Sequence, residues 1–282
     1  MTTTTPIPDH TLNDGTTLPA IGFGTYALNG AGGVDAMVNA IELGYRLLDS
    51  AFNYENEGAV GETVRRSPVP REDLRVTSKL AGRHHAYDKA VAAVHESLYR
   101  AGLDHYDLYL VHWPNPGRDL YVEAWQALVD LKRQGLLRSI GVSNFLPAHL
   151  ERIAAETGVV PSVNQVELHP YFPQADLREW HEANGIRTES WSPLGRAGAV
   201  LRDPVVERIA AGHGRSTAQV VLRWHLQLGA VPLPKAAGAA RQRENMSVFD
   251  FELSDADMAA ITGLGRPDGR IADQDPAVYE EF

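Results

Sequence analysis

The chain has 282 residues, 44% of them hydrophobic, no cysteine and a formal net charge of −10. That composition supports a large core and excludes a disulfide framework, thiolate metal sites and a cysteine nucleophile; the acidic balance argues against nonspecific nucleic-acid binding but leaves room for a local basic cluster that holds an anion. The opening "MTTTTPIPDH" has no basic start and no apolar core segment, and no run approaches the ~18 apolar residues of a membrane span, so a soluble, cytoplasmic protein is expected.

In chain order, "HTLNDGTTL" predicts a small N-terminal β-hairpin turning at Asn-Asp-Gly. Short apolar runs follow near 20–25, 46–50, 74–80, 106–112, 138–142, 162–168, 186–191 and 230–234. Between them lie segments with helical spacing, among them "DAMVNAIELG", "YDKAVAAVHESLYRAG", "LYVEAWQALVDLKRQG" and "STAQVVLRWHLQLG", several ending in the glycine that closes a helix. No long linker and no internal repeat interrupts the alternation. Eight strands alternating with helices in about 250 residues predict a (β/α)8 TIM barrel, one domain over residues 1–282. A doubly wound open sheet competes, but it would ordinarily carry G-x-G-x-x-G after its first strand, and "GFGTYALNG" lacks the third glycine at that spacing.

Active sites of such barrels form at the C-terminal ends of the strands, so what terminates each run matters. The second ends in Asp49, the third in Lys79, the fourth in His112 and Trp113, the fifth in Ser143 and Asn144. The sixth carries Gln165, Glu167 and His169 at alternate positions; the seventh ends in Trp191 and Ser192, the eighth in Lys235. A polar or aromatic end on nearly every strand reads as a site. Taken alone, "DSAFNYENEGAVG" is a strand end before a helix capped by Asn53 or Asn56, with Tyr54 on the surface. With Lys79 nearby, the Tyr54 phenol gains a cation that favours its anion and lowers its pKa from near ~10. Asp49 supplies the counter-charge of Lys79, and His112 can direct a ring N–H at a substrate oxygen. Together they form a tuned proton donor beside a cradle for an oxygen that gains negative charge.

The blocks "GFGTY", "GYRLLDSAFNYENEGAVG", "VTSKL", "LYLVHWP", "IGVSNF", "NQVELHP", "WSPLG" and "PLPK…ARQREN…FDFEL" span almost the whole chain, and in order and spacing they closely resemble the aldo-keto reductase family. The short segment after "WSPLG" resembles the compact bacterial branch that includes 2,5-diketo-gluconate reductases. The resemblance implies an NADPH-dependent carbonyl reductase with Asp49, Tyr54, Lys79 and His112 as its catalytic tetrad. It implies a cofactor site in which Gly24, Thr25 and Tyr26 contribute from "GFGTY" beside Asp49. Ser143, Asn144 and Gln165 would meet the nicotinamide carboxamide, and Trp191 would stack on the ring. Ser192, Leu194 and Gly195 would approach the pyrophosphate through free backbone N–H groups. Lys235 and Arg241 would hold the 2′-phosphate, with Glu244 and Asn245 near the adenine. Ala236 departs from the pattern, which usually has Ser or Thr there. Read without the family, Ser143 and Asn144 could cap the next helix. Tyr26, Ala51, Trp113 and Trp191 would line an aromatic substrate pocket with Tyr54 and His112, suited to small aldehydes, α-dicarbonyls or keto sugars. The polar tail "GRPDGRIADQDPAVYEEF" would fold over the barrel mouth. Because His112 stands where double-bond-reducing family members have Glu, carbonyl reduction is expected. A monomer is expected, with no nucleic-acid or membrane partner.

Other readings carry less. Adjacent His84 and His85 point in different directions and make a poor metal pair. Glu167 and His169 could bind metal with His112, but no further His-x-His pattern supports this, and a packing role is expected. "GHGRST" lacks the lysine and spacing of a phosphate-binding loop and is expected to start a helix. A metal-dependent barrel hydrolase and a non-catalytic cofactor sensor are the rival functions; the complete tetrad favours a reductase, and no metal is expected.

Overall fold

A computed structural model describes residues 7–272 and 274–281. Strands β1 (Asp9–Thr11) and β2 (Thr17–Pro19) pair antiparallel as the predicted hairpin, with Gly15 at the φ of +83° that its turn requires. All eight apolar runs are strands: β3 (Phe23–Gly24), β4 (Leu47–Asp49), β5 (Arg75–Leu80), β6 (Tyr106–Val111), β7 (Leu137–Ser143), β8 (Val163–Glu167), β9 (Arg187–Trp191) and β10 (Val231–Pro232). They form one parallel sheet in sequential order. The sheet curls until its edges meet: Gly22 and Gly24 donate backbone hydrogen bonds to the carbonyls of Pro232 and Pro234, at 3.0 and 3.2 Å. The predicted (β/α)8 barrel is therefore the fold, although its first and last strands are only two residues long.

Outside the sheet run α1 (Gly30–Glu42), α2 (Glu57–Arg66), α3 (Tyr87–Ala101), α4 (Tyr121–Arg133), α5 (Pro147–Thr157), α6 (Ala175–Ala183), α7 (Pro204–His213), α8 (Thr217–Gln227), α9 (Ala239–Met246) and α10 (Asp255–Thr262). Gly102, Gly158 and Gly214 end α3, α5 and α7 in the left-handed conformation. "GHGRST" does start a helix: the Ser216 side chain accepts from Gln219 N while the Gln219 side chain accepts from Ser216 N, a reciprocal cap for α8.

Most of the core lies between sheet and helices, where Phe23, Leu48, Val76, Tyr109, Trp125 and Ile140 are buried. A second, smaller core fills the barrel. There Leu12 and Leu18 of the hairpin pack against Leu47, Leu108, Leu110, Val163, Val231 and Leu233, so the hairpin closes the N-terminal end. Side chains alternate along each strand. Leu47 and Val163 of this floor stand two residues before Asp49 and Gln165, which therefore lie one step higher on the same inward face, and Lys79 and Glu189 join them there by hydrogen bonds. The fold turns one period-two pattern into an apolar floor beneath a polar layer.

Candidate active site

Strands β4 and β5 are neighbours in register, which brings Asp49 and Lys79 together inside the barrel. Lys79 is fully buried, and its ammonium donates to both carboxylate oxygens of Asp49, each at 2.8 Å, and to Ser50 O at 2.7 Å. A buried ammonium needs such partners, because an unpaired one would lose its proton. Burial alone would lower the Lys79 pKa, but the charges of Asp49, Tyr54 and Glu189 hold it above its ordinary value.

Tyr54 reaches this pair from a short turn, Phe52–Tyr54, that leaves β4 and ends at Glu55 with a φ of +54°. Asn56 precedes α2 as its N-cap residue, yet its side chain makes no cap. The amide instead donates to Thr25 O at 2.7 Å, and its oxygen accepts from Ser50 at 2.7 Å, tying the turn to β3 and β4. Lys79 Nζ lies 5.0 Å from the Tyr54 ring centroid, and the rings of Tyr26 and His112 stand at 5.2 and 6.1 Å. One expectation is corrected here. Burial pushes the Tyr54 pKa up and outweighs the charge and hydrogen bond of Lys79, which pull it down. Sequence reading saw the cation but could not weigh it against desolvation.

Gln165 sits across the barrel from Lys79. Its Nε2 donates to Asp49 Oδ1 and to Glu189 Oε2, both at 2.9 Å. Glu189 is 1% exposed, and burial, with the Asp49 charge adding to it, raises its pKa to about 8. Ser143 donates to Gln165 O at 2.8 Å, and Trp191 Nε1 donates to Asn144 Oδ1 at 2.8 Å. Neither Ser143 nor Asn144 caps α5, contrary to expectation: the N-cap residue is Leu146, before Pro147, and the Ser143 hydroxyl is spent on β8. Asn144 and Ser192 hold φ angles of +63° and +49°, a strain typical of functional loops.

Above this layer opens a cavity of about 630 Å³. It brings together Asp49, Tyr54, His112, Trp113, Asn144 and Gln165 with Gly24, Tyr26, Trp191, Ser192, Leu194 and Lys235. Ala51, expected on the pocket wall, is fully buried and does not line the cavity; Thr25 and Ser143 are buried behind it. Gly195 lies next to the lining residues Leu194 and Arg196. Ala236 and Asn245 are buried outside the cavity, while Arg241 is exposed and Glu244 half-buried on the flank formed by α9.

The tail reaches the mouth, as expected. Tyr279 lies against Trp113, centroids 4.5 Å apart, and Gln274 and Glu281 also line the cavity. Glu281 is anchored by Gly82 N at 2.9 Å and Asn53 Nδ2 at 2.8 Å, while its backbone oxygen accepts from Asn115 at 2.7 Å. Its carboxylate stands 2.7 Å from His112 Nδ1, off the hydrogen-bond line. Burial would raise the Glu281 pKa, but His112 and these donors hold it below the ordinary value.

Sequence reading missed Glu189, Glu281, Tyr279 and Arg196. Only Glu189 left a signal, two residues before Trp191 and hence on the same strand face. Glu167 accepts from His169 Nε2 at 3.0 Å and from the backbone of Ile271 in the tail. Among the described residues no cluster of three or more metal-ligating side chains occurs.

The donor set suits a phosphorylated dinucleotide. Lys235 and Arg241 are exposed and have no acidic partner among the described residues of an acidic chain, while Asn144 and Gln165 present amides at the inner end of the cavity. A family model described as "Aldo/keto reductase family" matches residues 20–266. The chain is 52% identical to 2,5-diketo-D-gluconic acid reductase B of Corynebacterium sp. over 276 residues, 98% of this chain and 99% of that protein. It is 43% identical to morphine 6-dehydrogenase of Pseudomonas putida, covering 96% and 97% of the two chains. Among solved structures, a Gox0644 mutant in complex with NADPH superposes with a TM-score of 0.92 at 44% identity, covering 97% and 98%. The Bombyx mori aldo-keto reductase in complex with NADP gives 0.88 at 33%, covering 98% and 99%.

Proposed function

This chain belongs to the aldo/keto reductase family and is an NADP-dependent oxidoreductase; from that premise we propose that Asp49, Tyr54, Lys79 and His112 reduce aldehydes and ketones to alcohols in the cavity at the barrel mouth. The observation that carries this reading is the buried Lys79–Asp49 pair set beneath the Tyr54 ring at the cavity floor. Bound NADPH supplies the hydride for the carbonyl carbon. Tyr54 protonates the carbonyl oxygen, and its phenolate, disfavoured by burial in the free protein, is stabilised by Lys79 as the proton leaves. Asp49 keeps Lys79 charged. His112 turns Nδ1 toward Glu281, so Nε2 is the nitrogen left to face the substrate oxygen. Trp113 and Tyr279 narrow the mouth and shield the reacting atoms from water.

Lys235 and Arg241 would take the 2′-phosphate, Asn144 and Gln165 the carboxamide, Trp191 the ring face, and the positive-φ loop from Ser192 to Ala197 the pyrophosphate. Small aldehydes, α-dicarbonyls and keto sugars suit the aromatic walls, and the name of the Corynebacterium relative favours the last class. We take the protein to act as a monomer with one catalytic domain. A reductase drawing on NADPH belongs in the cytoplasm, where that cofactor is kept reduced. A panel of these carbonyls, followed by loss of NADPH absorbance, tests the reading: activity on none of the three classes would overturn it.

A further inference from the structure

Behind the cavity wall, Glu189 has no part in the chemistry just described. It lies on β9 directly opposite Gln165 of β8, is 1% exposed, and leaves Oε1 without a hydrogen-bond partner. Gln165 Nε2 is held between two carboxyl groups, Asp49 Oδ1 and Glu189 Oε2, both at 2.9 Å. An amide nitrogen donates and an amide oxygen accepts. Two acceptors on one side therefore fix which end of Gln165 faces the cavity: the oxygen. That oxygen suits the NH2 of a nicotinamide carboxamide.

We propose that Glu189 is a positioning residue for the cofactor, which acts through Gln165 to present an acceptor to the carboxamide and places a second carboxyl charge behind the nicotinamide ring. The inference rests on the cofactor reading above. The charge has a direction of effect, because the oxidised ring carries a positive charge that the reduced ring lacks. Ionised Glu189 therefore favours bound NADP+ over bound NADPH, and protonated Glu189 does not. The charged groups that act on Glu189 are Asp49 from β4 and Lys79 from β5, already paired with each other. Burial sets the change in charge of Glu189 at about pH 8.

The test is the ratio of dissociation constants for NADP+ and NADPH, measured by quenching of intrinsic fluorescence from about pH 6.5 to 9.5. The 2′-phosphate titrates in both cofactors and cancels in the ratio. In the wild type, NADP+ should gain between about threefold and tenfold on NADPH as pH rises, for charges several ångströms apart behind a protein wall. Glu189→Gln keeps an acceptor for Gln165 and should leave neutral-pH NADPH affinity nearly unchanged while flattening the ratio. Glu189→Leu removes the acceptor and should weaken both cofactors. A flat wild-type ratio, or an unaltered slope in Glu189→Gln, overturns the inference while leaving the reductase assignment intact. Failure to bind NADPH at all overturns both. Should Glu189→Gln not fold, the wild-type slope alone decides.

Discussion

Replacing Asp49 by Asn removes the charge opposite a lysine that is fully buried. Asp49 supplies two of the three acceptors of Lys79, each at 2.8 Å, and Ser50 O the third at 2.7 Å. With an effective dielectric near 20, two unit charges at this separation attract by about 6 kcal/mol. Part of that returns when the stranded lysine sheds its proton, so the expected loss of stability is about 3–5 kcal/mol, as for other broken buried pairs. Lys79 is held above its ordinary pKa of 10.5. The stabilisation is therefore complete below that value and disappears only as pH rises through the folded pKa, so a neutral-pH measurement sees all of it. Urea unfolding of the wild type, Asp49→Asn and the double variant Asp49→Asn/Lys79→Met is the assay. The double variant should be more stable than the single one, because no charge is left stranded. Asp49→Asn within about 1 kcal/mol of wild type, or a double variant weaker than the single, would refute the reasoning.

Tyr54→Phe should lower turnover by about 10²–10⁴-fold with NADPH affinity nearly unchanged, because only the proton donor is lost; fluorescence quenching and steady-state turnover separate the two effects. Arg241→Ala should weaken NADPH binding about 10–100-fold and spare NADH, while Ala236→Ser should shift preference further toward NADPH; equal weakening of both cofactors would make Arg241 a support for its loop. Glu189 has a folded pKa of about 8 against an ordinary 4.5. Its neutral form is the one the fold favours, so stability is lost as pH rises between those values, by about 1.4 kcal/mol per pH unit relative to Glu189→Gln. Parallel stability-against-pH curves for the two proteins would contradict this.

The eight strands were legible because strands buried on both faces read as short apolar runs, and their polar ends marked the mouth. Asp49, Lys79, His112 and Gln165 stood out because each ends, or lies near the end of, such a run. Glu189 lies inside one, where a carboxylate reads as an interruption, and only its register with Gln165 shows what it does. Glu281 and Tyr279 could not be read at all: the tail has no periodicity, and the side chains of these two residues meet partners more than 150 positions away. The absent cap of α5 has a similar origin. Pro147 sets where the helix begins, which leaves Ser143 free to bond across the sheet.

The join between β3 and β10 gives the barrel an asymmetric mechanical seam. One side is glycine, where at Gly24 an added Cβ would fall 2.9 Å from Leu233 O, and the other includes Pro232 and Pro234, which have no N–H to return. Among the described residues, both backbone donors across the join, Gly22 and Gly24, come from the glycine side. Thermal opening should therefore begin there, and the amides of Gly22 and Gly24 should exchange with deuterated solvent ahead of those in β6 and β7. Lys235 stands one residue past the seam, so a dinucleotide anchored on that lysine would clasp the barrel across its weakest join, and its arrival should be registered as protection at the two glycines.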